Sequence, residues 1–147
     1  MSYDTGWRRN KYGGLFKVDQ LKESEWKDLP DEAKRYANFG VPRDDLYQYQ
    51  NESGKAFIRY NTNTSYIYAL GSTGGRAGTE AFIKALEQLR DKGNYGANWE
   101  ATGNAPDYYT HLGLNKYGSN EWGSYMYHIP HNELPVIIEK LKTRRNK

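Results

Sequence analysis

The sequence predicts an α+β domain in which a mixed, mostly antiparallel sheet is flanked by helices. Three observations carry that reading. Between Leu46 and Ser72, apolar and polar residues alternate in three short runs separated by polar turns, the pattern of an antiparallel meander. The segment that follows, TEAFIKALEQLRDKG, sets Phe82, Ala85, Leu86 and Leu89 on one helical face, with Gly93 to close it. The next run, ANWEAT (97–102), has strand character again, so a strand–helix–strand unit spans 65–102 and is expected to form a right-handed parallel crossover. A chain of 147 residues fits one domain, 1–147, with a basic arm over 1–13 and a basic tail over 143–147.

Taken from the start, LFKV (15–18) reads as a short strand, and Asp19 as the N-cap of a helix through QLKESEWKDL. Pro30, early in PDEAKRYANF, restarts a second helix with acids in its first turn, and Gly40 stops it. The meander strands are LYQYQ (46–50), KAFIRYN (55–61) and SYIYALGS (65–72), turning at 52–54 and at 62–64. After the crossover helix and ANWEAT come a short helix PDYYTHLG ending at Gly113, strands near 114–117 and 124–129, and a last amphipathic helix over 133–142. The predicted order is β-α-α-β-β-β-α-β-α-β-β plus a C-terminal helix.

Composition narrows the chemistry. There are no cysteines, which removes disulfide scaffolds, thiolate zinc sites and a cysteine nucleophile together. Three scattered histidines form no metal-ligand spacing, so no metal is expected. Lys and Arg number 21 against 18 Asp and Glu, and the resulting +3 is too small to argue for nucleic acid by itself. The start MSYDTGWRRNKYGG lacks an apolar run, and no stretch approaches the roughly 18–20 apolar residues of a spanning helix. A soluble, cytoplasmic protein without membrane contact is expected. Fourteen tyrosines serve either as core filler with a polar tip or as stacking platforms.

The candidate chemistry lies in the crossover. STGGRAG feeds a strand into a helix N-terminus, where backbone N–H groups and the helix dipole favour an anion such as phosphate. Gly74, Gly75 and Gly78 let the backbone approach such a group, and Arg76 adds a charged donor. No Gly-Lys-Ser/Thr follows and the dinucleotide spacing is absent, so neither of those phosphate motifs applies. A plain structural turn explains the glycines equally well.

The following segment, NAPDYYTHLGL, has Ala105, the aromatic Tyr108, Tyr109, then Gly113 and Leu114, with Asn104 just before. With the element order above, this resembles the GNAT superfamily of N-acetyltransferases, whose motif after the fifth strand has that register. The run AFIKALEQLRDKG resembles the family's helix behind its pyrophosphate loop. The loop itself departs from the family pattern: Ala77 and Thr79 stand where two small residues are expected, and Gly74 where a basic or amide side chain is usual.

The resemblance implies an acyltransferase that moves an acetyl group from acetyl-CoA, as co-substrate, to an amine. It implies that Leu70, Gly71 and Ser72 pair with the pantetheine arm, that the amides from Gly74 through Gly75, Arg76, Ala77 and Gly78 to Thr79 hold the pyrophosphate, and that Asn104 belongs to the same site. The Leu70 or Gly71 amide would serve the oxyanion and Tyr109 would protonate the departing thiolate. Glu100, opposite Trp99 on its strand, is the candidate base, since a partly dry cleft raises a carboxylate pKa; a solvent-facing strand residue is the plain alternative. His111 and His128 are the other candidate bases, and a ring packed between helix and sheet is the plain alternative for Tyr109. The acceptor class (small molecule, protein or aminoacyl-tRNA) is not encoded in any motif. Two rival readings remain open: a catalytically degenerate GNAT-like fold acting as a binding or structural protein, and a nucleic-acid module using exposed tyrosines and basic tails.

Overall fold

The computed structural model describes residues 15–17, 27, 45–51, 54–72, 76–102 and 105–145. It is α+β, with a mostly antiparallel seven-stranded open sheet. The strands are β1 (Phe16–Lys17), β2 (Leu46–Asn51), β3 (Gly54–Asn61), β4 (Tyr66–Ser72), β5 (Ala97–Ala101), β6 (Lys116–Ser119) and β7 (Tyr125–Ile129). Their order across the sheet is β1-β2-β3-β4-β5-β7-β6. The described helices are α1 (Ala77–Lys92), α2 (Ala105–His111) and α3 (Leu134–Arg145), the last led in by a 3-10 turn, His131–Glu133. The two helices expected between 19 and 39 lie outside the described residues, apart from Lys27, which is helical.

Contacts divide the chain into two compact units. The first holds the described residues up to Tyr60 together with Tyr68–Ala85. Its antiparallel ladder runs Phe16↔Gln48 in β1–β2 and from Leu46↔Arg59 to Asn51↔Gly54 in β2–β3. Strand alternation sends Tyr49, Ala56, Ile58 and Tyr60 to one buried face, where Tyr47 stacks on Tyr60 with ring centroids 4.5 Å apart. On the other face Gln48 sits opposite Phe57, both buried, and the Gln48 Nε2 has no hydrogen-bond partner among the described residues. Arg59 grips Asp45 through two 3.1 Å bonds and lays its guanidinium over the Tyr68 ring at 5.3 Å. The first turns of α1 contribute buried Ala77, Ala81, Phe82, Ile83 and Ala85.

The second unit comprises Asn61–Ile67 and the chain from Leu86 onward. Asn61 Oδ1 accepts the N–H groups of Asn63 and Thr64, closing an Asx turn over the residues expected to turn. Ser65 follows at φ 56°, fully buried; its carbonyl accepts from the Asn98 backbone N–H and its Oγ from that of Tyr95. That connection sets the parallel register of β4 and β5, Tyr66↔Asn98 and Ile67↔Trp99. Parallel neighbours require the crossover that α1 supplies. Antiparallel β7 lies beside β5, and β6 beside β7, with a bulge between Lys116 and Gly118. Trp99, Tyr127, Ile129, Leu86 and Leu89 are buried, and α3 adds Leu134, Ile138 and Leu141 at helical spacing. Lys142 Nζ meets Glu87 at 3.2 Å, and Arg144 donates to the His111 carbonyl.

Several boundaries move from expectation. Helix α1 begins at Ala77 rather than Thr79, so Ala77 and Gly78 belong to its first turn and not to the loop before it. The strand expected at 114–117 is Lys116–Ser119, because Gly113 and Leu114 are consumed in stopping α2. Helix α3 continues to Arg145, taking in part of the segment read as a basic tail. The basic arm over 1–13 lies outside the described residues.

Candidate functional site

In the first unit the predicted anion site is the junction of β4 and α1. Leu70, Gly71 and Ser72 end the strand half-buried, and Arg76 stands exposed before the helix. Gly74 and Gly75 lie outside the described residues. Intrahelical bonding starts with Glu80 donating to the Arg76 carbonyl at 2.9 Å, which makes Ala77, Gly78 and Thr79 the helix's opening amides. Gly78 is buried there, and a Cβ on it would come within 3.2 Å of the Ser72 Cβ. A side chain at 78 would therefore crowd that of Ser72, which gives the glycine a packing reason. That donor set, with Arg76 beside it, suits a phosphate, although the Glu80 carboxylate in the same turn already answers part of the helix dipole.

In the second unit Tyr109 lies on α2, 6% exposed. Its ring packs 5.3 Å from Trp99 of β5, 5.1 Å from Tyr127 of β7 and 5.1 Å from its neighbour Tyr108, while Trp99 and Tyr127 stack almost parallel. Burial first, then the nearby Tyr108 and Tyr127 hydroxyls, raise the Tyr109 pKa well above the ordinary phenol value, so it stays protonated across the neutral range and is a weaker acid than an exposed tyrosine. The helix carrying it ends in a Schellman turn: the Leu114 N–H donates to the Tyr109 carbonyl and the Gly113 N–H to that of Thr110, with Gly113 at φ 85°. The glycine and apolar residue of the predicted motif therefore have a local structural reason. Asn104 lies outside the described residues.

Glu100 is exposed on β5, and alternation places it on the side opposite Trp99 and hence opposite Tyr109. Tyr109 and Glu100 thus flank the same strand rather than touch. Glu100 shares its side with Met126 and His128 of β7, the partners of Glu100 and Asn98 in the ladder. The Asn120 Nδ2 donates to Glu100 Oε2 at 3.5 Å, and Asn98 Oδ1 lies 2.7 Å from His128 Nδ1. Among the candidate bases, then, His128 joins Glu100 on one face. His111 instead sits exposed at the end of α2, its carbonyl held by Arg144. Sequence reasoning passed over Asn98, Tyr117 and Asn120. The only available signal was the period-two spacing of Asn98 with Glu100; the others depend on the β5–β7–β6 register.

Elsewhere in this unit an open groove of about 800 Å³ runs between Leu112, Pro135, Val136 and Arg144, away from both candidate bases on β5 and β7. Among the described residues there is no cluster of metal-ligating side chains, and no helix is long and apolar enough to cross a membrane. No family model, no curated protein and no solved structure matches the chain.

Proposed function

We propose that the chain is an N-acetyltransferase of the GNAT kind, passing an acetyl group from acetyl-CoA to an amine. The feature that supports it most is the spacing Ala105, Tyr108, Tyr109, Gly113, Leu114, carried on a seven-residue helix that follows β5. Bound acetyl-CoA supplies a thioester carbonyl activated toward nucleophiles. The opening amides of α1 and Arg76 would hold its diphosphate. By the resemblance, the Leu70 or Gly71 amide would donate to the carbonyl oxygen as charge develops there, and Tyr109 would give its proton to sulfur as the C–S bond breaks. Glu100, the candidate for taking the proton from the acceptor nitrogen as the C–N bond forms, lies on the side of β5 opposite Tyr109.

Thiol release from acetyl-CoA, measured against amines, peptides and aminoacyl-tRNA, tests the reading. Calorimetry with CoA at millimolar concentration is the quicker measurement: without saturable binding the transferase proposal fails. A second reading, a silent fold of this kind used for binding, is favoured by the complete aromatic packing of Tyr109 and by Glu80 at the start of α1. It predicts a folded protein that ignores CoA.

A further inference from the structure

The groove of the second unit lies between the stop of α2 and one side of α3, and its character changes along its length. Leu134, Ile138 and Leu141 form the buried side of α3. Val136, Lys140 and Arg144, spaced four residues apart, line the groove as a ridge along the helix. At a rise of about 1.5 Å per residue, that ridge is ~12 Å long. It starts apolar, with Val136 56% exposed next to Pro135, and turns cationic at Lys140. Leu112 adds apolar surface from the α2 side. The volume, about 800 Å³, is that of a small-molecule site.

Two nearby cations are answered by carboxylates, Lys142 by Glu87 and Arg90 by Asp91. The two on the ridge are not. Among the described residues Lys140 has no ion pair, and Arg144 Nη2 donates to the His111 carbonyl, a neutral acceptor. That bond seats the guanidinium against bare backbone at Gly113, where a Cβ would stand 3.7 Å from Nη1, and leaves other donors of the fork for a ligand. Glu139 also lines the groove, but its charge is shared with α1. There Arg90 is held above its ordinary pKa by its bond to Asp91 first, then more weakly by Glu87 and Glu139. The dipole of α3 accounts for a cation in the last turn and fades before Lys140.

We propose that this groove binds a medium-chain aliphatic carboxylate, its chain lying over Pro135 and Val136 and its carboxylate meeting Lys140 and Arg144. An eight-carbon chain, roughly 10 Å long when extended at C–C bonds of about 1.5 Å, spans the ridge. The two unanswered cations set the sign of the head group, and the apolar end sets the need for a tail. The site uses neither Tyr109 nor Glu100 and does not depend on the transferase reading.

The test titrates the full chain with octanoate, 1-octanol, octylammonium and butyrate, each below its micellar concentration. Calorimetry gives the affinities, and the amide resonances of Gly113, Val136 and Lys140 report the place. Octanoate should saturate, shift those three resonances and raise the thermal midpoint. It should bind about fivefold or more tightly than each of the other three, and its margin over 1-octanol should shrink at high salt. Lys140→Gln and Val136→Ser, both at exposed side chains, should each weaken octanoate about threefold. Equal binding of 1-octanol would mean a merely apolar groove, and equal binding of octylammonium the wrong sign of charge. Equal binding of butyrate would mean a charge site with no apolar end. Each of these overturns the proposal, as does octanoate that never saturates, shifts only resonances elsewhere, or binds Lys140→Gln like the parent.

Discussion

The indole of Trp99 and the phenol of Tyr109 lie 5.3 Å apart across the boundary between strand and helix, tilted by 50°. The contact involves the ring, so its packing can be separated from any part the hydroxyl plays. Tyr109→Phe keeps the ring. Stability should change by no more than about 1 kcal/mol, the worth of one hydroxyl's hydrogen bonding. If the hydroxyl is the acid, kcat for thiol release should fall by roughly 10²-fold or more. A variant equal to the parent in kcat would take Tyr109 out of the chemistry.

Three of the buried phenols among the described residues bear on the alkaline limit. Burial raises the pKa of Tyr60, Tyr109 and Tyr127 in the folded chain, whereas the unfolded chain ionises them near about 10. The folded state favours their neutral forms. This stabilising contribution is therefore complete below the unfolded value and is lost as pH climbs towards the folded ones. Each adds a slope of about 1.4 kcal/mol per pH unit in that window. Absorbance of tyrosinate against pH should show these phenols ionising together with unfolding, above the exposed tyrosines. Simple titration of all fourteen near pH 10, without unfolding, would contradict the burial described.

At Gly113 the cost of substitution is torsional. A Cβ there has room, its nearest neighbour being Arg144 Nη1 at 3.7 Å, but φ is 85°. Gly113→Ala should cost about 1 kcal/mol, and Gly113→Asn less, as read from thermal midpoints.

Gln48 offers a gain. It is 3% exposed, opposite Phe57, and its Nε2 has no hydrogen-bond partner among the described residues. Gln48→Met keeps the length and removes the unsatisfied donor, so stability should rise by about 1 kcal/mol in denaturant titrations. A loss of stability would mean that the amide is satisfied in solution.

Much of the architecture was legible because it rests on local pattern. The one-sided run Phe82, Ala85, Leu86, Leu89 reports burial directly, whereas alternation in Leu46–Gln50 and Lys55–Asn61 locates strands but not their burial, since Gln48 and Phe57 are buried as well. Boundaries failed where hydrogen bonding overrides pattern. Arg76 opens α1 two residues early by accepting from Glu80, and Gly113 with Leu114 is taken by the stop of α2, which pushes β6 along the chain. On the candidate site, the sequence separated Glu100 from Trp99 by parity alone, and the structure keeps them on opposite sides of β5. The pairing of Asn98 with His128 was illegible, because it depends on a ladder joining residues thirty positions apart. So was the left-handed Ser65, which nothing in its own neighbourhood announces.

The near-parallel Trp99–Tyr127 stack, 2° from coplanar orientation and shielded from water, has an optical consequence. Two chromophores held rigidly at that spacing couple their transitions, so the native chain should carry a strong near-ultraviolet dichroic band. That band would vanish when side-chain packing loosens, even while backbone ellipticity persists. The molecule thus contains its own gauge of whether this side of the sheet is intact, readable without any label.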